Sequence, residues 1–461
     1  MSTTEYNLDA GPKTDSWAVS SWKRFCRLVV RVFYRRFEIS GQAAMPVDAG
    51  LILCANHVNA LVDAVVMQAA TDRLVRPLAR SGLFSNPVLR PLLRAIGAVP
   101  VYRQQDTGSD TSRNKDSFSR CYQLLAQNEC LIIFPEGQSH ADSHLHDLKT
   151  GAARIALGAL QVNRRAPVVL PVGLTFSGKG RIRGDVLVQY GKPVELDGMQ
   201  GLSERERVDQ MTRRISAGLA AVTLNADSWL DIELATRVEK FFAFRHGRYR
   251  KKRLDQQFRA LQRLIEGQRL LREHEPGRVR ALIRHLHRFE RLCGCCGIGD
   301  YHLTLNYRPV LIAVYMLRTL FILLIGFPVA LWGVVNSLLP FLLTRHLSRL
   351  IARGEDQYDT TRIVLGILLF GLFWSLQCAY VFYHFGVLWM LAYLTSLLIS
   401  APVALKMRSE YRYALGNLRV FFLFLRKNRL KEYLLLRREE IETELARLVR
   451  IARRLSHVQD L

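Results

Sequence analysis

The chain has 461 residues, 49% of them hydrophobic, with 65 Lys and Arg against 40 Asp and Glu and a formal net charge of +25. That apolar content excludes disorder over most of the length and supplies surface for two to four packed units of roughly 150 residues each. The charge calls for a polyanionic neighbour, either nucleic acid or the anionic face of a bilayer, and eight cysteines without disulfide-like spacing fit a reducing compartment.

Residues 1–15 form a polar tail without an apolar run, so no cleaved secretory peptide is expected. Over 16–37, Trp22, Phe25, Val29, Val32 and Phe33 recur at helical spacing with Lys23, Arg24, Arg27, Arg31, Arg35 and Arg36 between them. This pattern suits a helix lying in a membrane interface; a helix packed on the following domain is the alternative. Residues 38–200 alternate short apolar runs with helical stretches. Leu51–Ala55, Ala98–Tyr102, Cys130–Phe134, Val168–Leu174 and Val186–Tyr190 read as strands; Ala60–Ala70, Val88–Ile96, Asp116–Asn128 and Thr150–Leu160 read as helices. Such alternation implies an α/β domain with a central, mostly parallel sheet flanked by helices.

Residues 201–305 are polar, basic and helical, with a break at Glu275-Pro276-Gly277. Cys293, Cys295 and Cys296 near His285, His287 and His302 raise zinc, but a single Cys-x-x-Cys lacks a second pair, so no metal is expected. In 306–406, Pro309–Leu343 and Ile363–Leu405 are apolar enough to cross a bilayer, which takes about 20 such residues. The second stretch has room for two crossings with a turn near His384–Gly386. The first, holding Arg318, Pro328 and Pro340, reads as a broken hairpin or one long tilted span. Basic residues precede it (Arg308), separate the stretches (Arg345, Arg349, Arg353, Arg362) and follow them (Lys406, Arg408, Arg412). The positive-inside tendency puts all three groups on the cytoplasmic side and predicts an even number of crossings per stretch, hence two transmembrane hairpins or a re-entrant loop plus one hairpin. Residues 407–461 are basic C-terminal helices.

The chemistry concentrates in Cys54-Ala55-Asn56-His57-Val58-Asn59-Ala60-Leu61-Val62-Asp63, where a strand ends in a polar turn before a helix. An imidazole that takes a proton from an alcohol needs its far nitrogen held by a carboxylate, and the turn lets His57 and Asp63 meet. Gly97–Arg103 places an arginine where a strand leaves the sheet, suited to clamping a phosphate. Phe134-Pro135-Glu136-Gly137-Gln138-Ser139-His140 closes another strand with a carboxylate and a glycine, and Val168–Leu174 is an apolar strand containing Pro171. Cys54, inside an apolar run, is not expected to act as a nucleophile.

In this order the four segments resemble the blocks of the glycerolipid (glycerol-3-phosphate and lysophosphatidic acid) acyltransferase family, over about residues 50–175. The family leaves four residues between its His and Asp; here five intervene, which looks like the fungal-type glycerol-3-phosphate/dihydroxyacetone-phosphate acyltransferase branch, as does the Asn225–Arg237 segment. The resemblance implies that His57 is the general base and Asp63 its orienter. It also implies that Arg103 binds the acceptor phosphate, that Glu136 and Gly137 shape the acceptor site, and that Lys149 and Arg80 add cationic contacts. Backbone amides near Val172–Gly173 or at the Gly137 turn are expected oxyanion donors. The implied protein is an integral membrane acyltransferase of phospholipid biosynthesis with its catalytic domain on the cytoplasmic side. Its partners would be the bilayer, an acyl-coenzyme A or acyl carrier protein donor, and glycerol-3-phosphate or dihydroxyacetone phosphate as acceptor, with no further cofactor and no nucleic acid. The alternatives are a lysophosphatidic acid acyltransferase and a non-catalytic lipid-binding protein on the same fold.

Overall fold

A computed structural model describes residues 17–42, 45–46, 48–87, 89–102, 112, 114–163, 165–177, 183–245, 252–299, 302–303, 309–352 and 354–459. Contacts divide the chain into two units. The first comprises the described residues of Met1–Trp229, Arg253–Phe258 and Ala352–Thr360; the second comprises those of Leu230–Lys252, Arg259–Ile351 and Thr361–Leu461.

The first unit is an α/β domain. Its strands are β1 (Arg36–Ser40), β2 (Leu51–Ala55), β3 (Val75–Arg80), β4 (Val99–Val101), β5 (Cys130–Ile133), β6 (Val168–Ser177) and β7 (Asp185–Tyr190). They form one sheet in the order β1-β7-β6-β2-β5-β3-β4, every neighbouring pair parallel except β6 and β7. Helices cover the faces: α1 (Trp17–Phe33), α2 (Leu61–Ala69), α3 (Leu89–Ala95), α4 (Asn114–Ala126), α5 (Gly151–Val162) and α6 (Glu204–Val222). A parallel strand covered on both faces needs apolar side chains at every position, and all five residues of β2 are buried. One core cluster joins Ile52, Leu131 and Val169 of the sheet to Ile155 of α5 and Met211, Ile215 and Leu219 of α6. α6 starts at Ser203, whose side chain forms a capping box with Glu206.

β1 and β3 are strands the hydropathy pattern does not announce. β1 is an edge strand with every residue half-buried, held where Arg35 grips Asp185 through Nε (3.0 Å) and Nη2 (2.8 Å). β3, Val-Arg-Pro-Leu-Ala-Arg, buries Arg76 to 2% exposure and satisfies it with Glu129 at 3.2 and 3.1 Å. α1 serves both readings of its sequence. Val19, Cys26 and Val30 are buried, while Trp17, Phe25, Leu28 and Val32 are exposed along another stripe.

The second unit is helical: α7 (Trp229–Arg245), α8 (Leu254–His274), α9 (Pro276–Cys296), α10 (Pro309–Ile351), α11 (Glu355–Phe385), α12 (Val387–Arg426) and α13 (Asn428–Gln459), of which Trp229, the start of α8 and the first turn of α11 belong to the first unit. Phe241, Leu286, Phe289, Phe424, Leu434 and Ile441 share one core. Among the described residues, three segments are long and apolar enough to cross a membrane, Met316–Ile351, Glu355–Phe385 and Val387–Met407. The turn at Gly386 stands where the sequence puts it. The first apolar stretch is not a broken hairpin: α10 runs unbroken through Pro328 and Pro340. His302, one of the residues that raised zinc, accepts from Gly299 N at 2.8 Å and meets Asn417 at 3.0 Å, and its burial lowers its pKa.

Candidate active site

The loops after β2 and β5 meet at the carboxyl ends of the parallel strands, the usual place for a site in such a sheet. Asn56 fixes the first loop by bonding both Leu174 O (3.1 Å) and Leu174 N (2.7 Å) at the end of β6. His57 follows, its ring stacked on Phe134 at 4.1 Å. Its Nδ1 lies 2.9 Å from Asp63 Oδ2, which also accepts from Val58 N (2.9 Å) and Asn59 N (2.8 Å). The carboxylate can only accept here, so Nδ1 carries the ring proton and Nε2 keeps its lone pair. Nε2 has no hydrogen-bond partner among the described residues, and the side chain is 18% exposed. Asp63 itself is fully buried in the first turn of α2. Five residues between His and Asp suffice because the chain reverses sharply at Ala60, a non-glycine residue at φ +43°. Such a backbone costs about 1–3 kcal/mol and persists only where its surroundings over-determine it.

The second loop braces the first. Glu136, 3% exposed, accepts from His57 N at 2.7 Å through Oε1. Oε2 accepts from His146 N (3.2 Å) and bonds His140 Nε2. Asp142 N donates to His140 Nδ1 at 3.2 Å, which assigns the proton to Nε2. His140 N in turn donates to His57 O at 3.1 Å. Glu136 therefore spends its carboxylate on the backbone that carries His57. Gly137 sits at φ +79°, and a Cβ there would press on Lys149 Cγ at 3.3 Å. Its N–H donates to Phe134 O at 3.0 Å, so the oxyanion role expected of this turn is not open to that amide. Lys149 is exposed; with Glu136, Gln138, His144 and His146 it lines an open cleft of about 370 Å³.

Residues 139–149 are held from behind. Ser143 Oγ donates to Ala226 O (2.8 Å), Leu145 N to Asn225 Oδ1 (2.9 Å) and Trp229 Nε1 to Ala141 O (2.6 Å). The first unit accordingly runs on to Trp229, past the residue-200 boundary expected from sequence. Arg80 stands exposed at the end of β3, Arg103 lies outside the described residues, and Cys54 is fully buried in β2, its thiol pushed up to about 12 by burial. A thiol so placed is no nucleophile.

Glu136, His140 and His146 offer donor atoms within 4.8 Å of one another, the one such group among the described residues. The His140 and His146 rings, however, stack 3.7 Å apart with planes 3° from parallel. An imidazole binds a metal in its own plane, and no ion lies in both of these. His146 instead bonds Asp142 at 2.6 Å, which holds that carboxyl below its ordinary range. This arrangement is a hydrogen-bonded brace and not a metal centre.

Sequence comparison accords with this geometry. Residues 36–175 match the protein-family model described as Acyltransferase. The chain is 34% identical over 133 residues to glycerol-3-phosphate O-acyltransferase 2 of Saccharomyces cerevisiae, a match covering 27% of this chain and 18% of the yeast protein. It thus spans less than a fifth of that relative's length. It is 24% identical over 198 residues to a 1-acyl-sn-glycerol-3-phosphate acyltransferase of Bacillus subtilis, covering 42% of this chain and 92% of that protein. The crystal structure of the 1-acyl-sn-glycerophosphate acyltransferase of Thermotoga maritima aligns with a TM-score of 0.33 at 21% identity, over 44% of this chain and 77% of that one. The likeness to acyltransferases that the family model describes thus lies in residues 36–175.

Proposed function

We propose that this protein is a membrane-bound O-acyltransferase that moves a fatty acyl chain from a thioester to the hydroxyl of glycerol-3-phosphate or dihydroxyacetone phosphate. The observation that carries the reading is the 2.9 Å contact between His57 Nδ1 and the buried Asp63, with Nε2 left free. Nε2 takes the acceptor's hydroxyl proton as its oxygen attacks the thioester carbonyl; the C–S bond breaks, and the imidazolium returns the proton to the leaving thiolate. Asp63 fixes the tautomer and stabilises the cation between the two transfers. Nothing in this sequence needs an acyl-enzyme, metal or redox cofactor, and coenzyme A or acyl carrier protein enters with the donor. Lys149, Arg80 and Arg103 are the cations proposed to meet acceptor and donor phosphates.

The glycerol-phosphate acceptor is favoured by the yeast relative's activity and by the five-residue His–Asp spacing. A lysophosphatidic acid acceptor is the second reading, favoured by the Bacillus subtilis relative, 92% of whose length is covered. Purified membranes supplied with labelled acyl-coenzyme A and an acceptor panel decide between them. Turnover with the small acceptor and little with lysophosphatidic acid is expected; the reverse moves the protein to the second reading. In either case His57→Ala removes about 10²–10⁴-fold of the activity at unchanged protein level, and full activity in that variant refutes the base assignment.

The bilayer is the proposed partner of the exposed α1 stripe and of α10 to α12. Ala352–Thr360 packs in the same unit as the His57 loop, so the start of α11 lies on the side of the membrane that carries the proposed active site. α10, α11 and α12 each hold a segment long and apolar enough to cross. Arg345 and Arg349 before α11, with Lys406 after the apolar part of α12, support a cytoplasmic side for both ends of that pair.

A further inference from the structure

Over its first two turns α11 places Asp356, Asp359 and Thr360, which the acyltransferase motifs do not call for, against the loops that carry His57 and Glu136. Asn59 Nδ2 donates to Asp359 Oδ2 at 3.1 Å, and Thr360 Oγ1 donates to Asn59 O at 3.1 Å. Ser139 Oγ, three residues after Glu136, donates to Asp356. Asn59 and Asp359 are buried, at 1% and 4% exposure. The amide orientation is not arbitrary: a carboxylate accepts only, so the nitrogen of Asn59 must face Asp359.

Asn59 lies at the centre of the turn that makes the His57–Asp63 pair. Its N–H donates to Asp63 Oδ2 at 2.8 Å, its C=O accepts from Val62 N at 3.0 Å as well as from Thr360, and the strained Ala60 follows it. Backbone donor, backbone acceptor and side chain are all engaged, two of the three by α11. Tyr34, whose pKa burial and the charges of Asp359 and Asp63 raise, lies within the field of both carboxylates. The two acids thus share one buried neighbourhood, three hundred residues apart in sequence.

We propose that Asp359, with Thr360, is a positioning residue of the acyltransferase site: it holds Asn59, and through Asn59 the turn that sets the Asp63 carboxylate against His57. This rests on the reading of His57 as general base. On it, the start of α11 is a working part of the catalytic centre in addition to a lead-in to the membrane. Loss of the Asp359 contact frees the turn and weakens the contact between Asp63 and His57.

The test uses the full chain in native membranes or lipid nanodiscs, with kcat and the donor KM measured for His57→Ala, Asp359→Ala, Asp359→Asn, Thr360→Val and Glu355→Gln. Asp359→Ala is expected to lower kcat about 10- to 100-fold with little change in donor KM. Asp359→Asn keeps an acceptor oxygen for Asn59 Nδ2 and recovers most of the rate; Glu355→Gln, exposed one turn earlier, behaves as wild type. Thr360→Val, nearly isosteric, shows the same split at smaller amplitude and serves if Asp359→Ala does not accumulate. Wild-type kcat per folded molecule in Asp359→Ala, or in Thr360→Val where only that variant folds, overturns the proposal while an inactive His57→Ala leaves the base assignment standing. An active His57→Ala brings down the base assignment and the proposal with it.

Discussion

Three side chains decide the state of His57, and each acts through geometry the neighbouring sequence does not state. Asp63 sets the tautomer, Phe134 stacks on the ring, and Glu136 pins its backbone nitrogen. Asp63→Asn is expected to cost about 10²–10⁴-fold in acyl transfer, because an amide cannot hold Nδ1–H and stabilise the imidazolium as a carboxylate does; steady-state assay of membranes at matched protein level checks it. N-Ethylmaleimide is expected to modify the exposed Cys295 and leave activity intact, since the Cys54 thiol is fully buried and pushed up to about 12. Mass spectrometry with a parallel assay reads both, and inhibition that tracks labelling of Cys54 contradicts this account. At Gly137, the left-handed backbone and the Lys149 stem together predict that Gly137→Ala destabilises the site by about 1–2 kcal/mol, visible as a lower melting temperature.

Among the elements, the long apolar helices depend on close approach and not on the hydrophobic effect, which does little between helices in lipid. A Cβ at Gly333 of α10 would overlap the carbonyl oxygen of Ser400 in α12, whereas one at Gly371 of α11 meets nothing within 4 Å. Nearby, Trp332 Nε1 donates to Ser396 Oγ at 3.0 Å and Tyr393 OH to Asn336 Oδ1 at 2.7 Å. Gly333→Val should therefore lower the melting temperature in detergent markedly while Gly371→Val does not; equal behaviour of the pair argues against this packing. α10 runs on through Pro340 because a neighbouring helix takes up the carbonyl that this proline leaves without its intrahelical donor: Gln377 Nε2 of α11 donates to Asn336 O at 3.1 Å.

For the whole molecule the governing fact is that Ala352–Thr360 returns to the unit that carries His57. The net charge of +25 belongs at this scale too, since it favours an anionic bilayer and anionic substrates without specifying a fold.

Local pattern was enough to reveal the α/β domain, the apolar spans, the turn at Gly386, and the place of His57, Asp63, Glu136 and Gly137 at strand ends, because buried parallel strands and lipid-facing helices each impose a composition visible within a few residues. β1 and β3 were hidden because an edge strand and a strand with a buried ion pair need not be apolar. Asp359 was hidden, and the contacts that Asn225 and Trp229 make with residues 139–149 could not be read from their segment, for a different reason. Each meets the catalytic loops from far along the chain, and a hydrogen bond between residues 59 and 359 leaves no periodicity in either segment. Chemistry was written locally; the scaffold that aims it exists only once the chain has closed on itself.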